Sequence, residues 1–304
     1  MDSYSALLDR ISAGQPGRPV VVEPYAAHTL AAIAAAADWA DGAVTLVGEK
    51  ARIDEQLNRS TLGKRSARVI HADSSAAAAA EAANVVAGGD ADYVVKGSIA
   101  SADLLKGVLP RERLGTGRLA SHLYIIEAPA YDGRTVAFAD AGVNIAPDAA
   151  AKADIIRNSV DALHALGMQR PRLAVLSGVE IVKHALASSV DAALLTQMAR
   201  RGQLGDVDVD GPLSIDAALS MDAARDKSLT GTVPGQADVL LAPSLDAANM
   251  TSKALIGTTG RAMGVVLGAK VPVALPSRGD SLQTRIHSLL LAAYLAARQP
   301  PALR

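Results

Sequence analysis

The strongest constraint in this chain is the regular exchange of short β-branched runs with alanine-rich runs of helical period. Residues 19–23 read as a strand, 28–39 as a helix and 43–48 as a strand. Residues 68–71 form a further strand, 76–86 a helix closing at Gly88-Gly89, and 92–95 a strand opening onto Lys96-Gly97. Each parallel strand pair needs a crossover helix to cover the sheet, so this rhythm predicts a layered α/β domain with a largely parallel sheet. From Leu119 the rhythm changes. Two β-rich runs, 123–127 and 134–138, flank Asp132-Gly133 and predict a hairpin. Ile155, Ile156, Val160, Leu163 and Leu166 then share one helical face before Gly167 and Pro171. A strand over 172–176 follows, then a helix over 190–200 with Ser188 and Ser189 as capping candidates. A strand over 238–242 and a last helix over 282–297 complete the pattern.

Composition narrows the function classes. Half of the 304 residues are apolar and 20% are charged, which describes a folded chain with a substantial core. Only 3% are aromatic, so the core is aliphatic, and few rings exist for stacking on bases. With a net charge of −1 and no basic block, nucleic acid is not an expected partner. The absence of cysteine removes disulfides, thiolate metal sites and a cysteine nucleophile together. Met1-Asp2-Ser3-Tyr4-Ser5 lacks the parts of a signal peptide, and the apolar stretch 30–40 is short and broken by Asp38. A cytoplasmic protein without a membrane partner is expected. No metal site is expected, because the six histidines lack paired ligand spacing. Asp206, Asp208, Asp210 and Gly211 imitate a calcium loop, but Ala217 stands at the twelfth place, and a half-buried strand is expected instead. Neither a P-loop nor a dinucleotide glycine fingerprint is present.

Near the C-terminus the apolar run 271–275 stops at Pro276-Ser277-Arg278-Gly279-Asp280-Ser281, before a helix. A hydroxyl and a planar guanidinium fork at a strand end, beside a helix N-terminus, make a candidate anion-handling corner. The plainer alternative is a capping serine with a structural arginine. Lys96-Gly97 after another strand is a second candidate, whose ammonium and N–H groups suit phosphate. Its plainer alternative is an exposed turn.

Seven pieces in order resemble the phosphate acetyltransferase and phosphate butyryltransferase family, most closely its butyryltransferase branch. They are Lys96-Gly97 with Ser101 and Leu104-Leu105; 140–147; Asp210-Gly211-Pro212-Leu213 with Asp216; 236–243; Asn249 with Lys253; 268–272; and Ser277-Arg278. The resemblance runs from about Val21 to the final helix. It implies transfer of a short acyl group between coenzyme A and inorganic phosphate, both as substrates, with no tightly bound cofactor. It also implies two α/β domains with an interdomain cleft, in the layered fold of isocitrate and isopropylmalate dehydrogenases. Residues 1–126 with 270–304 are expected in the first domain and 127–269 in the second. A homodimer or larger homo-oligomer is implied as well.

The resemblance assigns Arg278 to phosphate or the oxyanion and Ser277 to the thioester. The family pattern places a carboxylate seven residues past this serine, where Thr284 stands here. Asp280 is the nearest acid, as base for the coenzyme A thiol or as a capping residue. Lys96, Gly97, Ser101 (where threonine is usual) and Arg118 are expected to bind phosphate or coenzyme A, as are Ser121, Asp140, Asn144, Asn249 and Lys253, with turn formation the alternative for Asp140 and Asn144 and a subunit neighbour the alternative for Asn249 and Lys253. Arg113 and His122 are further candidates, and Ala248 replaces the usual glycine. Two other readings stand beside this one: a metal-dependent decarboxylating dehydrogenase of the same architecture, and a coenzyme A binding protein that has lost its base.

Overall fold

The computed structural model describes residues 1–257 and 260–298. Its strands are β1 (Pro19–Val22), β2 (Val44–Gly48), β3 (Ala67–His71), β4 (Tyr93–Lys96), β5 (Ser121–Ala128) and β6 (Arg134–Ala139). They continue with β7 (Arg172–Leu176), β8 (Asp208–Leu213), β9 (Val239–Leu241), β10 (Ala262–Leu267) and β11 (Val273–Ala274). Two compact units result. One holds Leu8–Arg118 with the described residues from Met263 onward, and is called the Lys96 unit. The other holds Met1–Leu7 and Leu119–Ala262, and is called the Asp140 unit.

In the Lys96 unit the strand order is β3-β2-β1-β4-β11-β10, parallel except where β10 meets β11. Every residue of β1, β2 and β4 is buried, as expected of strands covered by helices on both faces. Alanine lets the covering helix Ser75–Ala87 come close, with Ala78, Ala79, Ala82 and Ala83 all buried. The register pairs Val22 with Lys96 and Ala274 with Val95. The carboxyl ends of β1, β4 and β11 therefore lie side by side, and this edge carries Lys96 and the Ser277 turn.

In the Asp140 unit the order is β5-β6-β9-β7-β8. β5 and β6 form the antiparallel hairpin, and Asp132 (φ 54°) and Gly133 (φ 68°) supply the left-handed backbone of its turn. Phe138, Ile126 and Leu240 are fully buried in this core. Below them, Arg134 donates to the carbonyls of Leu219, Gly235 and Ala237, tying the loops beneath the sheet to β6.

Three local expectations change. β4 ends one residue later than expected, so Lys96 belongs to the strand rather than to the turn after it. β11 has only two residues, because Pro272 brings no N–H to a ladder and Pro276 cuts off its far end. The helix Ala187–Arg200 starts before both capping candidates. Ser188 instead meets the Ser177 hydroxyl at 2.9 Å, and Ser189 donates to Leu186 O at 2.8 Å. The calcium-like run is strand β8 and its approach, with Asp206 and Asp208 paired to Arg170 at 3.0 and 2.8 Å. Among the described residues no helix is long and apolar enough to cross a membrane.

Candidate active site

The carboxyl edge of the Lys96 unit gathers positive charge. Lys96 closes β4 and is 8% exposed, with its ammonium 3.4 Å from the Gly97 carbonyl. Burial lowers its pKa, and the guanidinium groups of Arg278 and Arg285 lower it further, while Asp280 opposes them. His28, in the first turn of the helix Ala27–Ala36, is pushed the same way by partial burial, then by Arg285 and Lys96. Three cations and a histidine thus converge on a single strand-end corner. Arg278 is exposed, and among the described residues its guanidinium has no carboxylate partner.

The turn carrying Arg278 is held from two sides. Inside it, Asp280 Oδ2 accepts the Ser277 N–H at 2.7 Å, and the Asp280 N–H reaches Ser277 O at 3.2 Å. Asp280 therefore closes the turn before the helix, whose cap is Ser281, and any acid–base duty falls on a carboxylate already engaged. From the side, Arg285 donates Nη2 to Ser277 O at 2.6 Å and to Arg278 O at 3.1 Å, and Nε to Asp280 O at 3.2 Å. Ser281 caps the helix Leu282–Ala296 by accepting the Thr284 N–H at 3.1 Å, and its hydroxyl meets the Thr284 hydroxyl at 3.1 Å. Thr284, at the family's acidic position, is thus part of the helix cap. Arg285 is the residue that sequence reasoning missed. Its only signal was a lone charge in a helix where His287, Ser288 and Leu289 are buried.

The N–H groups after β4 behave otherwise than expected. Gly97 donates to Val22 O at 2.9 Å and Ser98 to Glu23 O at 2.7 Å, so neither is directed at an anion. A Cβ on residue 97 would lie 2.2 Å from Glu23 O. Gly97 is required for close approach of two chains. Ser101 opens the helix Ser101–Val108, half-buried and without a side-chain capping bond. Arg118 is exposed, with its N–H on the Thr116 hydroxyl at 3.3 Å. Arg113 donates to the Gly107 carbonyl.

The other candidates belong to the Asp140 unit. Asp140 is buried and saturated. Oδ1 accepts the N–H groups of His122, Gly142 and Val143 at 3.1, 2.9 and 3.0 Å, and Oδ2 accepts Asn144 N–H at 3.0 Å. The Asn144 amide donates to Asp140 and, at 2.8 Å, to Ala120 O. This pair organises the loop after β6. Ser121 is buried and accepts from Asn158 at 3.0 Å, and burial pushes the pKa of neighbouring His122 down. Asn249 reaches Ala141 O at 3.4 Å from the helix Leu245–Ile256, and Lys253 is exposed on that helix. Asp140→Ala strips the acceptor from four backbone donors and is expected to cost about 3 kcal/mol. Urea unfolding followed by circular dichroism measures it.

The chain's similarities agree with the chemistry of this corner. It is 36% identical over 298 residues to the phosphate butyryltransferase of Clostridium beijerinckii, covering 97% of this chain and 98% of that one. It is 36% identical over 303 residues to the phosphate acetyltransferase of Rhizobium meliloti, covering 98% and 95%. A crystal structure of a branched-chain phosphotransacylase from Enterococcus faecalis aligns with a TM-score of 0.78 at 30% identity, covering 93% of this chain and all of that one. Residues 51–293 match the phosphate acetyl/butaryl transferase family as a whole. On that match and those full-length identities, the chain belongs to the phosphate acetyl/butaryl transferase family.

Proposed function

We propose that the cationic corner of the Lys96 unit holds inorganic phosphate for attack on a short acyl-coenzyme A, giving acyl phosphate and free coenzyme A. What carries this reading is the buried Lys96 ammonium at the end of β4 together with the exposed Arg278 guanidinium, which has no carboxylate partner among the described residues and lowers the Lys96 pKa. Two like charges in one corner favour a tetrahedral dianion, which relieves their repulsion. Arg278 offers a bidentate fork to phosphate oxygens and Lys96 a point charge.

Phosphate is itself the nucleophile, so no covalent enzyme intermediate is needed. One phosphate oxygen bonds to the thioester carbonyl carbon, the carbonyl oxygen takes negative charge, and the carbon–sulfur bond then breaks. The Ser277 hydroxyl donates to the carbonyl oxygen, where its hydrogen bond strengthens as charge develops. In the reverse direction the thiol proton passes to Asp280. Arg118 and Ser101 serve the coenzyme A phosphates and amides, and Asn249 and Lys253 serve coenzyme A or a neighbouring subunit. Gly97 supports this corner through backbone geometry rather than through substrate, while Ser121, through Asn158, and Asp140 with Asn144 brace the Asp140 unit. We further infer the layered arrangement of isocitrate and isopropylmalate dehydrogenases, a cytoplasmic location and a homodimer or larger assembly.

Free thiol released from acetyl-, propionyl-, butyryl- and isobutyryl-coenzyme A tests the reading directly. Release that depends on phosphate is expected for at least one of them, and no release from any would remove the proposal. Asp280→Asn keeps an acceptor for the Ser277 N–H while deleting the charge. It is expected to slow thiol consumption from acyl phosphate and coenzyme A by about 100-fold. A change below about threefold, inside the range of mere surface effects, would leave Asp280 as a turn residue alone.

A further inference from the structure

Arg285 is a buried guanidinium, 5% exposed, with no salt bridge among the described residues. Buried arginines are ordinarily neutralised by a carboxylate. Here three N–H bonds go to the carbonyl oxygens of Ser277, Arg278 and Asp280, all in one turn. We propose that Arg285 is the positioning residue of the phosphate corner: it fixes the backbone on which Ser277 and Arg278 stand and draws three carbonyl dipoles away from the incoming anion. The inference rests on the acyltransferase reading above and adds to it a residue that touches no substrate.

The geometry accounts for why an arginine is needed. Ser277 O, Arg278 O and Asp280 O lie around a planar fork, and Nε and Nη2 reach all three at once. The Asp280 bonds close the same turn from within, so backbone and side chains agree on one conformation. Without the fork, the carbonyl oxygens at 277, 278 and 280 each lose a donor close to where a dianion binds, and Ser277 O keeps the Asp280 N–H. Their partial negative charge then opposes phosphate. Of the acyl-coenzyme A contacts only those of Ser277 and Asp280 at the reacting thioester lie in this turn, so the binding cost falls on phosphate.

The test compares full-length wild type with Arg285→Met and Arg285→Lys in initial rates of phosphate-dependent thiol release, with thermal melting alongside. Arg285→Met is expected to lose about 100-fold in kcat/KM for phosphate, with the KM for acyl-coenzyme A within about threefold. Arg285→Lys, which restores a charge and one or two of the bonds, is expected to regain about tenfold. Adding guanidinium ion to Arg285→Ala is expected to restore part of the phosphate dependence. Wild-type rates in Arg285→Met would overturn the inference. So would a loss shared equally by both substrates that neither lysine nor guanidinium repairs. If wild type itself releases no thiol, the acyltransferase reading fails, and calorimetric binding of inorganic phosphate then decides this inference alone. Weaker binding in Arg285→Lys and Arg285→Met than in wild type supports it, and equal binding overturns it.

Discussion

Replacing Arg278 with alanine is expected to lower kcat/KM for phosphate by about 10²–10³-fold while leaving the melting temperature unchanged. The side chain is exposed, and the turn beneath it is held through its backbone by Asp280 and Arg285, so the fold does not need it. What is lost is the bidentate grip on phosphate. Arg278→Lys keeps the charge but not the fork, and is expected to recover only part of the activity. The pH dependence carries a second signature. Burial, Arg278 and Arg285 all lower the Lys96 pKa, so its ammonium loses its proton at a lower pH than an ordinary lysine. Phosphate affinity therefore falls on the alkaline side as Lys96 is neutralised. Removing the Arg278 charge lifts one of those causes, and the alkaline limb of the affinity profile is expected to move to higher pH. The groups acting on Lys96 are Arg278 and Asp280 in the turn and Arg285 on the last helix. His28, on the helix after β1, feels Lys96 in turn. Initial rates at varied phosphate, repeated across pH, read both effects.

Gly97→Ala is expected to be the most damaging single change in the Lys96 unit. The added Cβ would stand 2.2 Å from Glu23 O and 2.5 Å from Val22 O, both backbone atoms that no rotamer change can move. Relief requires β4 to part from β1. That breaks the bonds from Gly97 N–H to Val22 O and from Ser98 N–H to Glu23 O. Glu23 already sits at φ 52°, in a left-handed conformation unfavourable to a residue with a Cβ, and has little room to yield. The expected loss is about 3 kcal/mol or more of unfolding free energy, beyond ordinary overpacking. Because Lys96 precedes the displaced residue, activity is expected to fall with stability. Denaturant unfolding and the thiol assay on the same preparation measure the two together.

What was legible in the sequence followed from local pattern. Strands buried on both faces appear as apolar runs, unbroken in β1 and interrupted only by Thr45 before Gly48 in β2, and β7 was delimited at both ends. Asp132-Gly133 announced the hairpin because left-handed backbone has few affordable residues. β10 escaped notice although it is wholly buried, since Gly264 interrupts its apolar run. The helix Tyr4–Ser12 was likewise missed, being short and without an acidic first turn to mark its start. The corner itself was visible as a strand end followed by Ser277-Arg278. The residue that shapes it was not. Arg285 acts on carbonyl oxygens, which every residue carries, so no side-chain pairing points to it. For the same reason the sequence left Asp140 open between a binding group and a turn former; its backbone partners are the N–H groups of its own loop and of His122.

The central claim is that Arg278 and Lys96 grip one phosphate. A crystal structure of the full chain grown with inorganic phosphate tests it most directly. The account predicts a tetrahedral anion within hydrogen-bond reach of both the Arg278 guanidinium and the Lys96 ammonium, with the Ser277 hydroxyl facing it. An anion bound away from this strand-end corner, with Arg278 turned onto a carboxylate, would contradict it.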